Sequence, residues 1–86
     1  MAATDRRRTF DEMGQLGPEV YERQVRPKLG PDDDNKFVAI DVDTGDFEVD
    51  ADDYTAVMRL LARNPDGNIW LERAGHPTAY KMRHIR

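Results

Sequence analysis

Cysteine and serine are both absent from this 86-residue chain. The first absence removes disulfides, thiol catalysis and every cysteine-ligated zinc or iron–sulfur centre. The second removes serine nucleophiles and leaves five threonines, none with an evident base beside it. Histidine occurs only at His76 and His84, without carboxylates at ligand spacing, so the pair reads as a turn residue and a surface strand residue. No apolar run reaches the length of a membrane-spanning helix, and the N-terminus lacks the hydrophobic stretch of a secretory signal. A cytoplasmic, non-enzymatic protein without cofactor or metal is the expectation. Charge of one sign does not dominate either: 13 basic and 17 acidic side chains leave a net charge of −4, which gives no general affinity for polyanions.

What is present is concentrated in residues 36–74, which read as strand, turn, strand, helix, turn, strand. Val38, Ile40 and Val42 alternate with Ala39, Asp41 and Asp43, the period of a strand with one buried face. A turn follows at residues 43–46. A three-residue loop sets Val42 opposite Asp46 and mixes apolar and charged side chains, whereas an even loop pairs Val42 with Phe47 and Ile40 with Val49. The four-residue version is preferred, because a two-residue turn needs the β-branched Thr44 at positive φ. In that register Asp41, Asp43, Asp46, Glu48 and Asp50 share the other face or rim, which reads as a solvated acidic surface.

A helix then starts at an aspartate cap, Asp50 or Asp52, and carries Tyr54, Val57, Met58 and Leu61 as the stripe expected to cover the apolar side of the hairpin. Residues 64–67, NPDG, stop it. Residues 68–73 form the next strand, and residues 75–77 separate it from a last one at 78–85. A helical crossover invites parallel pairing and the final pair invites a hairpin, so a mixed sheet is anticipated. The fold class is α+β: a small mixed or antiparallel sheet (hairpin, helix, strand, strand) with one packed helix and an N-terminal helix.

Residues 1–35 read as a flexible tail, a helix and an acidic linker attached to a single α+β domain at 36–86. A helical turn is expected from Thr9, capped by Thr9 or Asp11, then interrupted by Gly14, Gly17 and Pro18. A second helix presents Val20, Tyr21, Val25 and Leu29, and Pro27 kinks or ends it near residues 24–26. Residues 30–35 contain no large apolar side chain. The helix therefore docks on its own sheet or on another chain.

Charge is unevenly distributed. Residues 1–35 carry 6 basic and 8 acidic side chains, residues 36–53 carry 1 and 7, and residues 54–86 carry 6 and 2. A core this small supplies about 3–5 kcal/mol of net stability, which favours a protein partner or self-association as a homo-oligomer. The candidate partner-binding residues are Val20, Tyr21, Val25 and Leu29 on the N-terminal helix, with Asp41, Asp43 and Glu48 on the acidic hairpin. The alternative is a nucleic-acid platform of Trp70, Arg73, Lys81 and Arg83, in which a stacking aromatic lies beside cations. The helix-turn-helix, KH and ribonucleoprotein signatures that would support it are missing.

Residues 43–45, DTG, match the triplet of aspartic proteases, where two such aspartates share a proton and activate water. The match is three residues long, falls where a hairpin needs a turn, and lacks the segment that braces that loop, so Asp43 is expected to be an exposed turn residue. Residues 41–45 also begin like a calcium loop, but the glycine comes one position early and position twelve is Asp52 in place of glutamate.

The runs 35–41 (NKFVAID), 44–50 (TGDFEVD), 60–66 (LLARNPD) and 69–75 (IWLERAG), with Tyr21-Glu22-Arg23 and Arg26-Pro27 before them, resemble a family of small uncharacterised bacterial proteins. That family is built on a G-K-F-V-A-I-D/E hairpin, a helix and a strand. The similarity covers about two-thirds of the chain and departs at Asn35, where the family usually has glycine. It brings no established activity or catalytic residue. Members encoded beside small retroviral-type aspartic proteases, in an arrangement like that of toxin–antitoxin pairs, imply a protein partner and an antitoxin-like or regulatory accessory role.

Overall fold

The computed structural model describes residues 7–75. In chain order it contains α1 (Phe10–Val20), a π-helical turn (Tyr21–Val25), two short 3-10 turns (Arg26–Lys28 and Pro31–Asp33), β1 (Phe37–Asp41), β2 (Phe47–Asp50), α2 (Asp53–Arg63) and β3 (Ile69–Arg73). The strands form one antiparallel sheet in the order β2-β1-β3. The chain is thus α+β, and of the two expected sheets the antiparallel one forms. β2 and β3 do run parallel to each other, as a helical crossover requires, but β1 is inserted between them and opposes both. The expected last strand at 78–85 lies outside the described residues.

The hairpin keeps apolar partners together in a register two residues from the anticipated one. Ile40 opposes Phe47 and Val38 opposes Val49, where Val42 with Phe47 and Ile40 with Val49 were expected. The loop is even and four residues long, but it spans 42–45: Asp41 N–H donates to Asp46 O at 2.8 Å, and Gly45, at φ 82°, closes it by donating to Asp41 O at 2.8 Å. Val42 leaves β2 because its N–H donates to Asn68 O across the other edge of β1, at 3.0 Å. Competition from β3 was invisible in the hairpin sequence alone.

Thr9 caps α1 with a reciprocal box: its Oγ1 accepts from Glu12 N–H at 3.1 Å, while Thr9 N–H donates to the Glu12 carboxylate at 2.8 Å. The helix then continues through Gly14, Gly17 and Pro18, which were expected to break it. Tertiary packing overrides propensity here. A Cβ on Gly17 would overlap the indole of Trp70, so the glycine is the gap that lets α1 lie against β3. After Val20 the helix widens, with Arg26 N–H donating to Tyr21 O five residues back, before the turn that contains Pro27. Asn35 adopts φ 72°, the left-handed region that favours glycine and tolerates asparagine, and its N–H donates to Ala74 O at 3.0 Å.

The sheet is covered on both faces. On one, Val20, Tyr21 and Val25 pack with Val38, Ile40, Val42 and Ala74, rimmed by Met13, Leu16, Leu29, Phe47, Val49 and Trp70. On the other, Ala56 and Leu60 of α2 pack on Ala39, with Val57 and Ile69 beside them. Two expectations are corrected by this. The core crosses the boundary anticipated at residue 35, because the N-terminal helix takes the apolar face of the hairpin. α2 therefore covers the opposite face with Ala56 and Leu60, and its expected core stripe is left partly outside, Tyr54 at 69% and Met58 at 45% exposure. Asp52 is the residue that caps α2, accepting from Thr55 N–H and Thr55 Oγ1 at 2.8 and 2.7 Å. Those two bonds hold its carboxyl below the usual aspartate range.

Candidate functional site

Asp41 and Asp43 sit in a polar knot at the end of the sheet. Asp41, 3% exposed, accepts Asp43 N–H on Oδ1 at 3.0 Å and the Asn64 amide on Oδ2 at 2.8 Å. A Cβ on Gly67 would come within 2.8 Å of Asp41 Oδ2, so the glycine lets the α2–β3 loop close on this carboxylate. Asp43 accepts Arg8 Nε and Nη2 on Oδ1 at 2.9 and 2.7 Å, and the Asn68 amide on Oδ2 at 2.6 Å. Arg8 N–H returns to Asn68 Oδ1 at 2.9 Å. The segment before α1, the β1–β2 loop and the α2–β3 loop are thereby tied together by charge-assisted bonds. Beside the knot, an open cleft of about 290 Å³ is lined by residues such as Thr44, Arg63, Asn64 and Asp66. The four carboxylate oxygens of Asp41 and Asp43 all accept N–H donors, so the knot acts as a brace on the DTG loop. Among the described residues no group of three side chains converges in a way that could hold a metal ion.

The acidic face expected to be solvated is instead covered by arginines of α2. Arg63 pairs with Glu48 and, at 3.2 Å, with Asp46, while Arg59 lies 3.6 Å from Glu48 and 3.4 Å from Asp50. Their i, i+4 spacing on α2 is the signal that, read against the hairpin acids, could have assigned this helix to this face.

The other expected partner residues are equally committed. Val20, Tyr21 and Val25 are buried in the chain's own core and Leu29 packs against it, so the structure places none of the first three at the surface. Burial raises the Tyr21 phenol above its ordinary value, opposed by a hydrogen bond with the backbone of Gly75 and reinforced by Glu72 and Glu22. Of the nucleic-acid set, Lys81 and Arg83 lie outside the described residues. Trp70 and Arg73 alternate to opposite faces of β3: Trp70 packs its ring on Gly17 and donates Nε1–H to Glu72 at 2.8 Å, while Arg73 lies over Phe37 at 5.4 Å. These two do not form one stacking platform.

Sequence reasoning missed the surface that remains. Arg59 and Arg63 face β2, so the opposite flank of α2, which includes Tyr54, is turned toward β3. Leu71 opposes Ala39 on the same side of the sheet and is 38% exposed. Tyr54, Met58 and Leu71 thus leave large apolar side chains on the α2 side of the sheet, where α2 sits over β1 and β2 more than over β3. Among the described residues no helix is long and apolar enough to cross a membrane. No family model, curated protein or solved structure matches the chain.

Proposed function

We propose that this chain is a cytoplasmic, non-enzymatic protein-interaction module of antitoxin-like or regulatory accessory kind, whose contact surface is the Tyr54, Met58 and Leu71 side of the molecule. The observation that carries the reading is their exposure, 69%, 45% and 38%, on the side of the sheet that α2 covers; Phe10 on α1, at 91%, is exposed as well but has no other exposed large apolar side chain of α1 beside it among the described residues. Aromatic and methionine side chains are enriched at protein interfaces, and both kinds are present here. The carboxylates that would serve chemistry are engaged with arginine and asparagine donors, which supports a binding role over a catalytic one.

The test is affinity capture from the native host with mass spectrometry, run beside a Tyr54→Lys/Met58→Lys variant whose folding is verified by circular dichroism. A partner retained by the wild type and lost by the variant is the expected result. A partner retained equally by both removes this surface from the function.

A further inference from the structure

The two edges of the sheet are finished differently. In the β1–β2 pairing Asp41 bonds to Asp46, so the alternate residues Phe47 and Val49 turn their backbone groups outward. That edge is defended: Arg63 Nη2 donates to Phe47 O at 3.4 Å, and the Glu48, Asp50, Arg59 and Arg63 charges line it. In the β1–β3 pairing Val42 bonds to Asn68 and Ala74 bonds to Lys36, so Ile69, Leu71 and Arg73 turn their N–H and C=O groups outward. Among the described residues nothing bonds to them. Beside this edge lies the apolar Tyr54, Met58 and Leu71 side of the molecule on one face. On the other face stands Glu72, which accepts Trp70 Nε1–H at 2.8 Å.

We propose that the outer edge of β3 takes an extended strand from a partner protein, one in which apolar side chains alternate with lysine or arginine. This rests on the interaction-module reading and names its partner's chemistry. Strand addition supplies main-chain bonds to Ile69, Leu71 and Arg73, and the period of two sorts the incoming side chains. Those opposite Leu71 fall on the α2 side, where apolar groups extend the Leu71 and Tyr54 surface. Those opposite Trp70 and Glu72 fall on the α1 side, where a cation offsets the Glu72 carboxylate, Glu22 being already paired with Arg26 at 2.8 Å. Burial raises the Glu72 carboxyl above the ordinary range, the Trp70 N–H lowers it, and Glu22 raises it again. An acidic strand would add like charge to the same place.

The experiment titrates the full chain with synthetic peptides of about eight residues, one alternating valine with lysine and one alternating valine with glutamate. Calorimetry gives affinity, and amide hydrogen exchange reads Ile69, Leu71 and Arg73. The expected result is slowed exchange at those amides with the lysine peptide, an affinity at least about tenfold above that of the glutamate peptide, and loss of the difference in Glu72→Gln. In Leu71→Lys, which leaves the backbone groups in place, both peptides weaken. Equal binding of the two peptides overturns the proposal. So does slow exchange of the three amides in the free monomer, which assigns the edge to the chain's own residues 76–86, or slow exchange in a free dimer seen by sedimentation, which assigns it to a second copy. Partner capture that is lost in Tyr54→Lys/Met58→Lys while the peptides go undiscriminated keeps the module reading and removes the strand.

Discussion

The two faces of the β1-centred sheet are built from different materials. The α1 face is closed by branched and aromatic side chains, with Val25, Val38 and Ile40 fully buried. The α2 face is closed by two alanines and a leucine, then rimmed by arginine–carboxylate pairs. Both faces exclude water from β1, yet one does so by apolar area and the other by small side chains that let the helix approach closely. A strand that is alternately large and small can serve both, and Val38-Ala39-Ile40 does.

The comparison breaks most sharply where volume is removed from the first face. Ile40→Ala leaves a cavity between α1, the π-turn and the sheet, and is expected to cost about 2–5 kcal/mol in urea unfolding. The second face should fail in the opposite sense. Ala39→Leu pushes α2 away from β1 and is expected to cost about 1–3 kcal/mol through overpacking, with Tyr54 and Met58 becoming still more accessible to surface labelling.

The strands and the helix of residues 36–74 were legible from alternation, caps and breakers, because those signals are local. The partition between faces was not. Ala39 carries no hydrophobic signature strong enough to announce a second buried face, and the stripe Tyr54, Val57, Met58 and Leu61 outweighs Ala56 and Leu60 in hydrophobicity while contributing less to the core. The N-terminal helix hid for a related reason. Gly14, Gly17 and Pro18 argue locally against it, and only contact with Trp70, a residue far along the chain, explains Gly17. The brace at Asp41 and Asp43 could be read as a turn or as a DTG motif from sequence. Its donors come from two segments distant in sequence, Arg8 before α1 and Asn64 and Asn68 in the α2–β3 loop, which no short motif joins to it.

Smaller effects sharpen the contrast further. Arg63→Ala removes partially exposed ion pairs that join α2 to the hairpin and should cost about 0.2–1 kcal/mol, a difference that shrinks as salt is raised; the ion pairs on the α1 side, Arg23 with Glu19 and Arg26 with Glu22, stay within their own helical segment. The smallest effect expected is a pH dependence belonging to the α1 side. Glu72 has a folded-state pKa raised first by burial, and more weakly by Glu22. Its favourable contribution is therefore fully present below the ordinary carboxyl pKa and lost as pH rises through the raised value. Glu72→Gln should flatten that slope and increase stability near neutral pH, measured by thermal melting across the range.

Ala74 and Val20 belong to the same buried cluster. A ribosome making this chain therefore releases α1 and the hairpin long before the residue that completes their shared packing emerges, and until then Val38, Ile40 and Val25 have only part of their final shelter. Folding waits on contacts of long sequence separation, which slows it and lengthens the interval in which the nascent chain is open to chaperones or to mistaken association.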